Sequence, residues 1–204
     1  MKKTVCMFVL LLTSALHLML YAQNSSKSNQ EMKTEANKKV LVAFFSHTGE
    51  NYAVGNIEKG NTHIIAEMIA GETGGTLFEI VPSNAYPKTY NACVEVAKKE
   101  KEANARPAIQ GDVPVEEYDV IFVGYPNWWG TMPMCVYTFL ELYNFKGKKI
   151  LPFCTHEGSG LGHSEDDIRQ LCPNAVVKDG LAIRGSLVAS SGRLIKEWLK
   201  RNNI

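Results

Sequence analysis

The sequence lacks the signatures of several common enzyme and binding classes. No two of its five cysteines form a Cys-x-x-Cys pair, and their spacing fits no zinc site. A Walker-type Gly-Lys-Ser/Thr is absent, and no Gly-x-Gly-x-x-Gly follows the first predicted strand, so both nucleotide fingerprints are missing. An excess of one charge is also missing, because 22 basic residues balance 21 acidic ones. The composition therefore gives no indication of binding to nucleic acid or to an anionic membrane surface.

Long apolar runs are scarce, and the one present lies at the N-terminus. Lys2 and Lys3 precede apolar residues 5–20, and the small residue Ala22 precedes a polar segment. This pattern is typical of a secretory signal peptide over residues 1–22, with an uncleaved anchor as the alternative. We therefore expect a periplasmic or secreted protein without membrane association after cleavage. Removing Lys2 and Lys3 leaves 20 basic residues against 21 acidic ones, a charge of about −1.

The rest of the chain divides into a leader and one domain. Residues 23–38 are polar and predict a flexible leader, and residues 39–204 are enough for one domain with a good core. Four cysteines remain in that domain, and an oxidising compartment would permit disulfides. Free, buried thiols are nevertheless expected, because two of the four fall in predicted helices and one ends a predicted strand. The four are Cys93, Cys135, Cys154 and Cys172.

Strand and helix patterns alternate along this domain. Short apolar runs predict five strands, at residues 40–46, 76–81, 120–124, 149–155 and 176–183. Amphipathic or capped segments predict five helices. The first begins at Asn61, the next three lie at residues 90–104, 134–143 and 166–171, and the last follows Ser190 or Ser191. Such alternation indicates an α/β fold with a parallel sheet and helices on both faces.

The loop after the third predicted strand combines rigidity with aromatic surface. Pro126 and Asn127 shape it, Gly130 ends it, and Trp128 and Trp129 lie side by side between them. Ligands bind at the carboxyl ends of strands in open α/β sheets, so a flat aromatic ligand is one interpretation of the two indoles. The other interpretation is that both tryptophans plug the top of the core.

The loop after the first predicted strand is rich in small hydrogen-bond donors. It contains Ser46, His47, Thr48 and Gly49, and Asn61-Thr62 completes it at the start of a helix. Hydroxyls, amides and free backbone N–H groups at a helix N-terminus can hold a phosphate without a cation. The same residue types also form ordinary caps and turns, so both interpretations stay open.

The loop after the fourth predicted strand is rich in glycine, which permits close approach of the backbone to a ligand. Its candidate ligand-contacting residues are Thr155, His156, Gly158, Ser159 and Gly160. A catalytic serine is disfavoured here, because a nucleophile elbow needs glycine two residues before the serine and Glu157 occupies that position.

Taken in order, the three loops resemble those of the flavodoxin family. Ser46, Thr48 and Gly49 match the first half of its Ser/Thr-x-Thr-Gly-Asn-Thr loop, and Asn61-Thr62 match the second half. Residues 50–60 then resemble an insertion, although Glu50-Asn51 could instead supply the asparagine of the motif. The Gly-x-Pro-x-Trp-Trp-Gly loop resembles the flavin-edge loop of the shorter family members, and the glycine-rich loop resembles the other flavin wall.

The resemblance implies a doubly wound, five-stranded parallel sheet with strand order 2-1-3-4-5, and FMN as cofactor. The FMN phosphate would bind Ser46, Thr48, Asn61 and Thr62. The isoalloxazine would lie between the second and third loops, against Trp128 or Trp129, and groups near Asn127 and Gly130 would bond its polar atoms. An aromatic wall with few cations would lower the potential of the last reduction step.

An electron carrier that serves an unidentified redox protein or small acceptor is the leading functional hypothesis. An FMN-dependent NAD(P)H:quinone-type oxidoreductase is the alternative, and it would need a nicotinamide site for which no second nucleotide motif is visible. A non-enzymatic binding module is a third hypothesis, against which the intact loops argue, and the missing elbow disfavours a hydrolase. No catalytic or metal-binding residue is assigned.

Overall fold

The computed structural model describes residues 38–204. The predicted signal peptide, and all of the predicted leader except Lys38, lie outside the described residues. In chain order the strands are β1 (Val40–Phe44), β2 (Gly49–Asn51), β3 (Gly55–Ile57), β4 (Thr76–Glu79), β5 (Val81–Pro82), β6 (Ile109–Gln110), β7 (Val120–Pro126), β8 (Lys149–His156), β9 (Val176–Val177) and β10 (Leu181–Arg184). The α-helices are α1 (Asn61–Thr73), α2 (Tyr90–Glu102), α3 (Met134–Leu142), α4 (Ser164–Leu171) and α5 (Gly192–Arg201).

The main sheet is parallel and runs β4-β1-β7-β8-β10, with the short β9 paired to β8. This confirms the strand order 2-1-3-4-5. Both faces of the sheet are covered. Leu41 and Ala43 face one core cluster, while Val42 and Phe44 face the other. Residues 120–125 of β7 are all buried, which confirms the central strand predicted from the continuous apolar run at residues 120–123 and extends the burial to Tyr125.

Gly124 is required for the packing of β7 against β8. A Cβ at this position would lie 2.1 Å from Cζ of Phe153, the residue opposite it on β8. The Phe153 ring therefore fills the space that any larger residue at position 124 would need. Phe153 is fully buried in the core cluster that also contains Phe44 and Phe122.

Several predicted boundaries were wrong. β1 ends at Phe44 and not at residue 46, and β7 continues past Gly124 to Pro126. The fifth predicted strand is split into β9 and β10, because the Gly180 N–H donates to the Glu165 carboxylate, 2.7 Å away, instead of to a strand. The second predicted strand is likewise divided, since β5 pairs with β6 away from the main sheet.

One helix start differs from prediction, and a second has the predicted cap residue without a side-chain bond to the helix. α4 begins at Ser164 rather than Asp166, and the Ser164 hydroxyl lies 2.8 Å from the hydroxyl of the buried Tyr125. Ser191 occupies the N-cap of α5, but its hydroxyl donates to the Val188 carbonyl over 2.7 Å and not to the helix. The four cysteines of the domain are buried and unpaired, as predicted. Within residues 38–204, no helix is long and apolar enough to span a bilayer.

The predicted insertion forms a hairpin from the antiparallel strands β2 and β3. Its backbone is joined to the start of α2, because the Glu50 N–H donates to the Lys88 carbonyl over 2.8 Å. The Glu50 carboxylate accepts from the Tyr90 N–H, 2.9 Å away, at the first residue of α2. The insertion is therefore an ordered wall beside the carboxyl edge of the sheet.

Candidate functional site

A cavity of about 430 Å³ lies at the carboxyl ends of β1, β7 and β8. Each of the three predicted loops contributes to it. The predicted site residues in its lining are His47, Asn61, Pro126, Asn127, Trp128, Trp129, Thr155, His156 and Ser159. The remaining predicted residues lie in the same loops but not in the lining; these are Ser46, Thr48, Gly49, Thr62, Gly130, Gly158 and Gly160.

The first loop wraps the N-terminus of α1. The Ser46 hydroxyl accepts a hydrogen bond of 3.1 Å from the His63 N–H in the first turn of that helix. The Thr48 hydroxyl accepts from the Lys88 ammonium. Since each hydroxyl oxygen already has a donor, the hydrogens of both hydroxyls remain free to bind an anion.

Gly60 allows this close wrapping. A Cβ at position 60 would lie 2.1 Å from the Ser46 Oγ and 2.6 Å from the His47 carbonyl oxygen. The loop can therefore lie directly on the helix start, where unpaired N–H groups carry partial positive charge.

Thr62 is placed differently from the other loop residues. Its side chain is buried, and its hydroxyl shares a hydrogen bond of 2.7 Å with the hydroxyl of Thr155. This contact joins α1 to the end of β8 and so fixes the first loop relative to the third. The Thr62 hydroxyl thus has a partner within the protein, whereas Asn61 lines the cavity.

His47 has unused hydrogen-bonding capacity inside the site. The residue is 8% exposed, it lines the cavity, and its Nε2 has no hydrogen-bond partner among the described residues. Burial lowers the pKa of the imidazole, and the nearby Lys88 ammonium lowers it further. A neutral, buried imidazole without a partner is costly unless a ligand supplies one.

The two tryptophans have different environments. Trp128 is half-buried and packs edge-to-face against Tyr86, Phe45 and His47, with ring centroids 4.9, 5.4 and 5.7 Å away. Trp129 is 46% exposed, and its indole N–H donates to the Val94 carbonyl over 3.2 Å. Trp128 therefore serves the core as well as the cavity, while Trp129 forms part of the rim.

Cations also lie near the rim, contrary to the expectation of few cations beside the aromatic wall. The Lys98 ammonium lies 5.7 Å from the centre of the Trp129 ring, and Lys101 donates to the Trp129 carbonyl oxygen. Both lysines come from α2, so their proximity depends on how that helix packs.

The third loop is held to the second by the side chain of Asn127. Its carboxamide donates to the Gly160 carbonyl over 2.9 Å and accepts from the Gly130 N–H at 3.0 Å. His156 is engaged locally, because its Nδ1 accepts from the Gly158 N–H at 2.9 Å. Burial lowers the pKa of His156, with Arg184 adding to the effect. This bond occupies Nδ1, and among the described residues no hydrogen bond joins His156 to Ser159.

A family profile for flavodoxin matches residues 39–202, which is most of the chain. The chain belongs to the flavodoxin family. A candidate flavoprotein from Bacteroides eggerthii DSM 20697 is similar, with 31% identity and a TM-score of 0.68 over 82% of this chain and 99% of that chain. Another from Bacteroides uniformis ATCC 8492 shows 28% identity and a TM-score of 0.64, with coverages of 80% and 98%.

A third solved structure supports the fold. It is a flavoprotein from Lactobacillus acidophilus NCFM in complex with FMN, with 24% identity and a TM-score of 0.58 over 75% of this chain and 97% of that chain. The search of curated proteins found no significant match.

In this flavodoxin, sequence reasoning missed two further walls of the cavity. The hairpin contributes Glu50, Asn51 and Tyr52, of which Glu50-Asn51 is the predicted alternative source of the motif's asparagine and Tyr52 was not predicted. The unpredicted residues of α2 in the lining are Tyr90, Cys93, Val94 and Ala97. The α2 residues follow a spacing of three or four, which places them on one helix face. That spacing could have predicted a buried or ligand-facing side of the helix. The run of charges at residues 98–102 instead led to the prediction of a mainly solvated helix.

Glu157 and Gly185 were also missed. The Glu157 carboxylate accepts from the Ser186 N–H at 2.7 Å and from its hydroxyl at 3.1 Å. A Cβ on Gly185 would lie 2.3 Å from the Asn61 carboxamide nitrogen. The segment after β10 therefore closes the cavity beside the first loop, a contact that no local motif encodes.

Proposed function

We propose that this flavodoxin binds FMN and acts as an electron carrier. The observation that carries the proposal is the partnerless Nε2 of His47, buried in the lining of a cavity at the N-terminus of α1. A ligand with a phosphate at that helix end and an aromatic ring toward Trp129 fits this chemistry. The family membership and the FMN-bound likeness support the same cofactor.

The residues present fit FMN in both of its parts. The free hydroxyl hydrogens of Ser46 and Thr48, with the carboxamide of Asn61, would hold the phosphate. The isoalloxazine would lie between residues 126–130 and 155–160, whose loops Asn127 holds together. Thr62 would act through Thr155 by fixing the position of the phosphate loop.

Bound FMN supplies the electron chemistry, since flavins exchange one or two electrons. The protein's contribution is to bind, orient and shield the ring. Trp128 and its aromatic neighbours exclude water from the inner part of the cavity, and the exposed Trp129 leaves the rim open to a partner. An open rim suits transfer to a redox protein or a small acceptor.

Calorimetric titration of the mature protein with FMN and riboflavin tests this function. We expect one FMN per chain and weaker binding of riboflavin, with a visible flavin spectrum that is perturbed on binding. Failure of both flavins to bind would refute the flavoprotein assignment. Equal affinity for the two would refute the phosphate site at α1 while leaving flavin binding intact.

One observation favours the reductase as a second candidate. Tyr52 and Tyr90 lie at the cavity with ring centroids 6.0 Å apart, and both are exposed, so the lining extends beyond the three flavin loops. Two aromatic faces beside a flavin suit a flat second substrate such as a quinone. Oxidation of NADH or NADPH that requires both FMN and a quinone would favour the reductase, and its absence would favour the carrier.

We also propose that the protein is exported after cleavage behind Ala22. The support is the basic start, apolar run and small residue of the sequence. Mass spectrometry of the protein from its native host should find Gln23 as the first residue. A mature chain that retains Lys2 and Lys3 would contradict this proposal.

A further inference from the structure

We propose that Lys88 supplies the positive charge of the phosphate site and makes the protein select FMN over riboflavin. The proposal rests on the proposed FMN function. It departs from the sequence interpretation, in which neutral donors alone hold the phosphate. Lys88 lies 40 residues after Thr48 in the chain, and its ammonium donates to the Thr48 hydroxyl.

The backbone around Lys88 is fixed against the phosphate loop. Gly49 has a φ of +104°, and a Cβ there would lie 2.5 Å from the Lys88 carbonyl oxygen. The same oxygen accepts from the Glu50 N–H at 2.8 Å. Two residues later, the Tyr90 N–H donates to the Glu50 carboxylate. Lys88 is therefore held beside Thr48 by contacts that do not involve its own side chain.

The charge of Lys88 is available to a ligand. Among the described residues no carboxylate lies within ion-pair distance of its ammonium. Lys59, two residues before the start of α1, is instead paired with the Glu67 carboxylate. Burial, and secondly the Lys88 ammonium, lower the pKa of His47, which lines the cavity.

The direction of the hydrogen bond at Thr48 matters for selectivity. An ammonium can only donate, so the Thr48 oxygen is the acceptor and its hydrogen is free. An anion that accepts from Thr48 therefore comes next to the Lys88 charge. The buried His47 Nε2 is a second, independent group in this region that lacks a partner. Riboflavin has no phosphate and gains nothing from this arrangement.

The test compares Lys88→Met with Lys59→Met by titration with FMN and riboflavin. Both changes remove one ammonium, but Lys59 has a carboxylate partner in Glu67 and Lys88 does not. We expect Lys88→Met to weaken FMN roughly tenfold at low salt, as for loss of one partly exposed charge contact, with riboflavin unchanged. Lys59→Met should change neither affinity, and Lys88→Arg should retain most FMN binding.

Salt gives a second readout. FMN binding by the original protein should weaken as ionic strength rises, and this dependence should be smaller in Lys88→Met. Equal loss of both flavins in Lys88→Met, or unchanged FMN affinity, would overturn the role of Lys88 without affecting the proposed function. Absence of flavin binding by the original protein would overturn both.

Discussion

The carboxamide of Asn127 donates a hydrogen bond of 2.9 Å to the carbonyl oxygen of Gly160. This bond joins two loops that follow different strands, and the oxygen of the same carboxamide orients the Gly130 N–H. The Asn127 side chain thus adds to two backbone bonds between the aromatic and glycine-rich loops, from the Asn127 N–H to the Thr155 carbonyl at 2.8 Å and from the His163 N–H to the Gly130 carbonyl at 2.9 Å. The consequences of this arrangement can be measured.

We expect Asn127→Ala to loosen both loops together. The change leaves a backbone carbonyl and an N–H without their partner, so the free energy of unfolding should fall by about 1–3 kcal/mol. Affinity for FMN and riboflavin should fall by the same factor, because the ring site and not the phosphate site is disturbed. Hydrogen exchange should become faster at residues 127–131 and 158–162, whereas faster exchange in only one loop would contradict the coupling.

The two tryptophans should respond differently to replacement by alanine. Trp128→Ala removes a half-buried ring packed on three aromatic neighbours, so the apo protein should lose about 2–4 kcal/mol of stability. Trp129→Ala should lower the stability of the apo protein by less than about 1 kcal/mol. It should nevertheless weaken flavin binding and reduce the quenching of flavin fluorescence on binding. Denaturation of the apo proteins and flavin titration separate these effects. Large destabilisation with unchanged flavin affinity in both variants would show that the tryptophans only plug the core.

The buried pair of Thr62 and Thr155 can be examined with a double-mutant cycle. Each threonine-to-valine change leaves the other hydroxyl unpaired and should cost about 1–2 kcal/mol, and the double variant should cost less than the sum. Because the Thr62 hydroxyl has its partner in the protein, Thr62→Val should change the ratio of FMN to riboflavin affinity less than Ser46→Ala does. A larger change for Thr62→Val would place its hydroxyl on the phosphate.

His47 should make the stability of the apo protein depend on pH. Its folded-state pKa lies below the ordinary value of 6.5, so the unfolded chain binds more protons than the folded one as pH falls. Its contribution to stability is therefore complete above pH of about 7 and declines below about 6.5. His47→Gln should make this decline shallower, with a remainder from His156, whose pKa is lowered too. Denaturation midpoints of the original protein and of His47→Gln, measured between pH 8 and pH 5, check this. The same dependence of the midpoint on pH in both proteins would contradict it.

The elements predicted best are those encoded by local pattern. The continuous apolar residues 120–123 predicted the central strand, and Asn61-Thr62 before an amphipathic pattern predicted the start of α1. The three loops at the sheet edge followed from strand order, since parallel strands place their carboxyl ends together. Here the prediction required only short-range periodicity and the topology rules of α/β sheets.

The contacts missed by sequence reasoning join distant segments. Lys88 reaches Thr48 across 40 residues, and Thr62 reaches Thr155 across 93. Neither pair has a local signature, because lysine and threonine are common in loops. The hairpin after Gly49 was predicted as an insertion, but its position beside α2 depends on the Glu50 carboxylate finding the Tyr90 N–H. Such pairings are decided by tertiary packing.

The reactivity of the four buried cysteines can be used to measure how often the domain unfolds. Burial raises the pKa of Cys93 to about 11 and of Cys172 to about 12, and it raises those of Cys135 and Cys154 as well. Thiols react as thiolates, so all four are protected both by lack of access and by protonation. The rate at which a thiol reagent labels the native protein therefore counts unfolding events. Cys93 also lines the cavity, so bound cofactor should slow its labelling relative to that of the other three cysteines. A mass spectrum of the labelled protein therefore reports both the rate of unfolding and the occupancy of the cavity.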